Sequence, residues 1–229
     1  MNSNLAKIII AVDGPAGSGK STVSKIIAQK LDLTYIDTGA MYRGIALLSI
    51  KAKLNPETQI DEICKLAETA HFRFEDCSKK IFLNNEDISS QIRTPEISKI
   101  VSQISTIPLV RDSLIKLQRE IGENGGAIMD GRDIGTNVFP NANVKIFLLA
   151  SSKIRAQRRY DEQINIGINQ SLEEVLYDIE KRDFSDYNRS IAPLKQAEDA
   201  FLVDTDEMTV EQVVNRIIEI IYEKINISN

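Results

Sequence analysis

Residues 14–21 read Gly14-Pro15-Ala16-Gly17-Ser18-Gly19-Lys20-Ser21, followed by Thr22. The spacing is G-x-x-x-x-G-K-[ST], and its residue types have a physical purpose. Glycines let the backbone curl until successive N–H groups converge on phosphate oxygens. A helix opening near Lys20 adds the positive end of its dipole. Lys20 is expected to keep its charge exposed toward the β- and γ-phosphates rather than packed in a core, and the Ser21 hydroxyl to ligate Mg²⁺. A Gly-rich turn without a ligand is the bland alternative, but a buried strand before the loop and a helix after it supply the context the motif needs. The motif indicates a nucleoside triphosphate and leaves open what is done with it.

Two further segments carry chemistry. Asp37-Thr38-Gly39-Ala40-Met41-Tyr42-Arg43 brings a carboxylate, a hydroxyl, a phenol and a guanidinium to one strand end. A helix cap at Asp37 or Thr38, with Arg43 solvated, explains part of the same pattern. Asp130-Gly131-Arg132-Asp133 follows another apolar run. Asp130 suits Mg²⁺ held through water, Arg132 suits phosphate through its planar fork, and Asp133 is an acceptor for an amino group. Arginines then gather at Arg155, Arg158, Arg159, Arg182 and Arg189. A loose phosphoryl-transfer transition state needs such positive charge, and a mobile lid can deliver it while excluding water. The competing explanation is a solvated helix face with pairs such as Arg158 with Glu162.

Several classes are weakened. The strings D-x-x-G and N-K-x-D of GTPases and an LSGGQ-like element are all missing. A small-molecule kinase remains, or an ATP-dependent switch without a phosphoryl acceptor. One histidine, His71, excludes a His-rich metal centre, and it reads as structural. Cys64 and Cys77 form no CxxC and fit a reduced compartment. A net charge of -5 argues against broad nucleic-acid binding. No run approaches the roughly 18 apolar residues a membrane span needs, and the N-terminus does not read as a secretory signal. The expected location is the cytoplasm.

These residues need elements to position them. The 229 residues, 42% hydrophobic and 27% charged, suit a globular chain. Residues 6–12 are β-branched and apolar on both faces, as in a buried parallel strand. Further strands are predicted at 33–36, 126–130, 144–149 and 200–203, with helices at 20–30, 40–51 and 209–225. Strands separated by helices predict a parallel sheet covered on both faces. Residues 57–71 read as a helix and 72–84 as a hairpin turning through EDCSKK, which suggests a subdomain inserted at about 55–105.

At this point the sequence resembles the bacterial cytidylate (CMP) kinases, among the P-loop nucleoside monophosphate kinases. The resemblance rests on VDGPAGSGKSTV at 12–23, YIDTGAMYR at 35–43, IRTPEIS with VSQIS at 92–105, and MDGRDIGTNVFPNANVKIFLLAS at 129–151. It continues with RAQRR at 155–159, KRDFSDYNRSIAPL at 181–194 and AEDAFLVDT at 197–205. It is colinear over nearly the whole chain. Thr38 stands where a serine is frequent, and Phe184, Ser185 and Tyr187 fill variable places.

The resemblance implies a single α/β domain over 1–229. It has a parallel core sheet, a monophosphate-binding insert with a small antiparallel sheet at about 55–105, and a short lid at about 152–170. It implies transfer of the ATP γ-phosphoryl group to CMP or dCMP with Mg²⁺, by a monomer needing no nucleic acid or membrane. Gly14, Pro15, Ala16, Gly17, Ser18, Gly19, Lys20, Ser21 and Thr22 would hold ATP. Arg43, Arg132 and Arg189 would grip the monophosphate. Ser102, Arg111 and Asp133 would read cytosine, with Arg182 and Asp186 on the sugar side and Asp37, Thr38 and Tyr42 lining the pocket. Lys20, Arg132, Arg158, Arg159, Arg182 and Arg189 would supply the catalytic charge. Kinases for another monophosphate or a small metabolite, and a non-enzymatic ATP-binding regulator, are the rival functions.

Overall fold

The computed structural model describes residues 5–75, 77–165 and 167–227. Its core is a parallel sheet of β1 (Ile9–Asp13), β2 (Thr34–Asp37), β6 (Ala127–Gly131), β7 (Val144–Leu149) and β8 (Phe201–Asp204). The strand order is β2-β6-β1-β7-β8. Register pairs Val12 with Asp130 and with Ile146, and Asp37 with Asp130. The strands therefore finish almost level, and the acids that end them share one edge. The connection from β1 runs to β2 on one side of it, whereas that from β6 passes β1 to reach β7 on the other, and this divergence creates a crevice at that edge.

Alternation along the strands explains the two covered faces. Ile10, Val12 and Ile128 pack with Val23 and Ile27 of α1 (Lys20–Leu31) and with Val213, Ile217 and Ile221 of α8 (Val210–Ile227). On the other face Ala11, Ala127 and Met129 pack with Ile115 of α5 (Pro108–Gly122) and with Ile134 and Val138. No helix among the described residues is long and apolar enough to cross a membrane.

The region after α2 (Thr38–Lys51) departs from this rhythm. The helix expected at 57–71 is shorter, α3 (Ile60–Glu68). Asn55 holds a turn before it, its side chain accepting from Glu57 N–H and its carbonyl from Gln59 N–H. The hairpin expected at 72–84 is β3 (Phe72–Glu75) with β4 (Lys80–Leu83), and a third strand, β5 (Glu86–Asp87), extends it. Asn84 and Asn85 take φ of 49° and 68°, the left-handed pair that a tight hairpin turn requires. Sequence reading ran the returning strand into this turn and so missed β5. Asp76, in the expected EDCSKK turn, lies outside the described residues. Helix α4 (Pro95–Ile104) follows, started by Thr94, whose hydroxyl accepts from Ile97 N–H. These elements share one apolar cluster with α2 and α5.

The arginine-rich region forms two packed helices, α6 (Ser152–Asn165) and α7 (Leu172–Asn188). Ala156, Val175 and Ile179 join them, and Ser171 with Glu174 forms a reciprocal N-terminal cap. Sequence reading assigned no helix to 172–188. Ile166, in the expected lid, lies outside the described residues.

Gly44 shows how tightly the small sheet sits on α2. A Cβ there would lie 2.7 Å from the Phe72 ring and 3.2 Å from Leu83. Gly44→Ala improves helix propensity by about 1 kcal/mol but overpacks this contact at a cost of about 1–3 kcal/mol. The expected outcome is a lower urea midpoint, recovered when Phe72→Leu is added. A midpoint raised by Gly44→Ala alone would show that the contact is loose.

Candidate active site

Strand β1 leads straight into the phosphate loop, because Gly14 can sit where no other residue fits. Its φ is 150°, and a Cβ on it would stand 2.1 Å from the Leu148 carbonyl oxygen. The loop ends at Gly19, which precedes α1 in a left-handed conformation. Lys20 differs from the exposed cation expected from sequence. It is buried, and its Nζ donates to Pro15 O at 2.6 Å and to Ser18 Oγ at 3.2 Å. Burial, helped by nearby Arg132, pushes its ammonium well below the ordinary lysine range, while Asp130 and Asp13 pull the other way. The loop closes around this charge because its own carbonyl and hydroxyl are the acceptors within reach.

Asp130 joins the loop to the acceptor segment. Its Oδ2 accepts from Ser21 Oγ at 2.6 Å and its Oδ1 from Tyr35 OH at 2.7 Å. Its carbonyl accepts from Thr38 Oγ1 at 2.6 Å. Burial and the charge of Asp37 raise its carboxyl above the usual range, against Ser21, Lys20 and Tyr35. Ser21 and Asp130 present hard oxygen donors beside a phosphate-binding loop. Mg²⁺ uses such donors when it keeps waters and shares phosphate oxygens, so the residues present fit it.

Asp37 serves as both a cap and an ion-pair partner. Its Oδ1 accepts from Ala40 N–H at 2.8 Å, starting α2, and its Oδ2 pairs with Arg43 at 3.0 Å. The helix-cap explanation is thus fulfilled for Asp37 but not for Arg43, which is held over the edge rather than solvated. Tyr42 stands beside Arg111, its ring centroid 5.6 Å from the guanidinium carbon. Burial pushes its phenol up to about 12.

Past β6 the chain makes a π-helical turn over Ile134–Val138. Asp13, at the end of β1, pins that turn: its two carboxylate oxygens accept from Ile134 N–H at 2.8 Å and Gly135 N–H at 2.7 Å. Arg119 holds the far end through the Asn137 and Val138 carbonyls. Asp133, at the start of the turn, is buried among cations. Its Oδ2 accepts from Arg111 at 2.5 Å and Asn137 Nδ2 at 3.0 Å, and its Oδ1 accepts from Arg189 at 3.3 Å. Arg111 also donates to Ser105 O. Ser102 lies one turn earlier on α4 and is not among the hydrogen-bond partners of Arg111 or Asp133. Of the three expected base readers, Arg111 and Asp133 are paired and Ser102 makes no hydrogen bond to either.

The remaining arginines divide into two groups. Arg132 Nε donates to Asp186 at 2.8 Å. Arg182 is half-buried with its Nε enclosed and without a partner, and desolvation together with Arg132 lowers it to about 10. Burial opposes the charge of Asp186, yet Arg132 and Arg182 prevail and hold its carboxyl below the usual range. These groups face the same crevice as Lys20, whose charge both Arg132 and Arg182 perturb. Arg158 instead turns to Thr205, donating to its hydroxyl at 3.2 Å and its carbonyl at 2.9 Å rather than pairing with Glu162. Arg159 is exposed on α6. Arg155, also on α6, is buried against the phosphate loop.

A phosphate loop facing a cluster of arginines and paired carboxylates across one sheet edge can hold two phosphate-bearing ligands end to end. Comparison with known proteins agrees with this arrangement. The cytidylate kinase family model matches residues 10–223. The chain belongs to the cytidylate kinase family. It is 48% identical over 221 residues to the cytidylate kinase of Ligilactobacillus salivarius, covering 95% of this chain and 98% of that protein. It is 43% identical over 217 residues to the Bacillus cereus cytidylate kinase, covering 94% and 96%. Among solved structures, an uncharacterized protein from Eubacterium ventriosum superposes with a TM-score of 0.52 at 12% identity, covering 93% and 97%, which speaks to fold alone.

Sequence reading passed over Asp13, Tyr35, Asn137 and Arg119. Tyr35 looks like a strand residue and Asp13 like the end of an apolar run, and only their neighbours across the sheet reveal their work. Asn137 is four residues beyond Asp133, a spacing that a helical turn would have suggested.

Asp13 makes a testable claim about pH. Burial is the main cause raising its carboxyl from 3.8 to about 6, against the two backbone N–H groups that favour its charge. The folded protein therefore keeps the proton longer than the unfolded chain between these values. The Asp13 contribution to stability falls as pH rises from about 4 to about 6 and is constant above that. Asp13→Asn removes the dependence. The stability of wild type relative to Asp13→Asn, from urea melts, is expected to drop by on the order of 2–3 kcal/mol across that window. A flat difference would overturn the assignment.

Proposed function

We propose that the protein transfers the γ-phosphoryl group of ATP to the phosphate of CMP or dCMP, giving ADP and the corresponding diphosphate. The observation that carries this reading is the buried Asp133 cluster lying on the same strand-end edge as the phosphate loop. A triphosphate bound by residues 14–22 points along that edge toward Arg43, Arg132 and Arg189, which are suited to the acceptor phosphate. Asp37, Thr38 and Tyr42 line the acceptor side, and Arg182 with Asp186 flanks the sugar.

Base selection follows from donor and acceptor patterns. Cytosine offers an N4 amino donor and the N3 and O2 acceptors. Asp133 Oδ2 already accepts two donors, so Oδ1, with one long contact to Arg189, is the oxygen with capacity left. It accepts from N4, while Arg111 donates to the ring acceptors and Ser102 comes within reach as the insert at about 55–105 closes. Uracil would set a carbonyl against Asp133, and an unsatisfied buried group costs about 1–3 kcal/mol.

The acceptor oxygen is anionic at neutral pH and carries no proton that must be removed. Catalysis rests on positioning and charge. Lys20, released from Pro15 and Ser18 to phosphate oxygens, and Arg132, Arg182 and Arg189 surround the transferring group. Arg158 and Arg159, carried by the lid at about 152–170, add charge when it moves in. Ser21, with Asp130 through water, would hold Mg²⁺, which neutralises phosphate charge when bound.

A coupled ADP-release assay with CMP, dCMP, UMP and AMP tests the reading. CMP and dCMP are the expected acceptors, and turnover with AMP alone would refute it. Lys20→Met, which keeps the buried volume, is expected to lower kcat at least a hundredfold with the fold intact, as loss of an electrostatic stabiliser does. Near-normal turnover would remove Lys20 from the mechanism. Asp133→Ala should lower kcat/KM for CMP by about 10²-fold or more, leave UMP far less affected, and spare ATP affinity. An equal fall for both nucleotides would give Asp133 an architectural role instead.

A further inference from the structure

Arg155 belongs to the arginine cluster, yet each nitrogen of its guanidinium is engaged by protein. It is 4% exposed at the start of α6. Its Nε donates to Ala150 O at 2.8 Å, its Nη1 to Ala16 O at 3.0 Å, and its Nη2 pairs with Asp183 at 2.6 Å. The phosphate loop lies against it so closely that a Cβ on Gly17 would be 3.3 Å from Arg155 Cβ. Three of its five N–H groups, one on each nitrogen, are thus met by protein, and the side chain is buried rather than open to the crevice.

The Ala16 contact has a consequence for the loop. In a trans peptide the C=O and the following N–H point in opposite directions. Holding the Ala16 carbonyl toward α6 therefore holds the Gly17 N–H on the other side of the loop, away from Arg155. The Asp183 contact reaches elsewhere. Asp183 lies on α7 between Arg182 and Asp186, and Asp186 pairs with Arg132. Its other oxygen, Oδ1, is buried without a partner, so its position depends on Arg155. One guanidinium thus fastens the phosphate loop to the helix that carries acceptor-side groups.

We propose that Arg155 is a positioning residue that sets the phosphate loop for anion binding and, through Asp183, couples the donor and acceptor nucleotide sites. The proposal rests on the reading that the loop takes a triphosphate and the α7 side a nucleoside monophosphate. A nucleotide that draws in Arg182 or Asp186 fixes α7, hence Asp183, hence the Ala16 peptide. By linkage the effect is mutual: each ligand tightens the other by the same factor.

Calorimetry with a non-hydrolysable ATP analogue and CMP, alone and together, tests this on wild type, Arg155→Met, Arg155→Lys and Asp183→Asn. Wild type should show each ligand tightening the other by roughly 5-fold or more. Asp183→Asn should bring that factor close to one while ATP-analogue affinity alone changes by no more than about threefold, since the Ala16 bond persists. Arg155→Met should weaken the analogue by about tenfold or more and leave CMP alone unchanged, the loss expected when a buried charged hydrogen bond is removed. Arg155→Lys should recover part of the analogue affinity but not the coupling, because an ammonium cannot span both partners. If wild type and Asp183→Asn bind both ligands with the same coupling, the strut is refuted while the functional reading stands. If wild type binds the analogue but no CMP, the functional reading fails and takes the coupling with it. Equal loss of both affinities in Arg155→Met, with a matching fall in Tm, would also refute the proposal by reducing Arg155 to a structural residue. Should Arg155→Met fail to fold, the Asp183→Asn result decides.

Discussion

The buried carboxylate of Asp130 is the contact on which the site depends. It ends the strand next to β1 and takes hydroxyl donors from Ser21 in α1 and Tyr35 in β2, while its own carbonyl takes Thr38 from α2. Phosphate loop, acceptor segment and central strand are thereby fixed to one another within one residue. A carboxylate taken out of water is costly unless such donors meet it. The same requirement explains why Tyr35, otherwise a core aromatic, points its hydroxyl to the sheet edge.

Charge balance extends outward from that point. Asp37 holds Arg43, Asp133 holds Arg111 and Arg189, and Asp186 holds Arg132. Each of these four arginines has an internal anion, so the crevice can keep many cations close together before a phosphate arrives. Mutual repulsion is nonetheless evident at Arg182 and Lys20, both lowered by burial with Arg132 adding to the effect. Phosphate oxygens would relieve it. A chain with a net charge of -5 can therefore carry a strongly cationic cleft, and its overall charge says little about its ligands.

The shell around these groups is backbone-directed. Asp13 holds two N–H groups of the turn after β6, Arg119 holds two of its carbonyls, and Arg155 holds a carbonyl of the phosphate loop. Directing a peptide group aims the donors and side chains that follow it, which is how groups far from the nucleotide set the geometry of those beside it.

The sequence by itself determined the parallel sheet, the phosphate loop and the two acidic segments at strand ends, because periodicity and glycine placement are local properties. It also offered Asp37 or Thr38 as a helix cap, since capping involves residues three apart, and the structure chose Asp37. The tertiary structure decided what depends on partners remote in sequence. Lys20 turned out buried because Pro15 and Ser18 accept its protons inside a closed loop. Arg155 and Arg158, alike in composition and neighbours, were assigned to the phosphate loop and to Thr205 by the packing of α6. Asp13 read as the end of an apolar run and Tyr35 as an ordinary strand residue until the sheet set Ile134 and Asp130 beside them. A charged side chain takes whichever counter-group folding brings within about 3 Å, and that choice is not written in its neighbours along the chain.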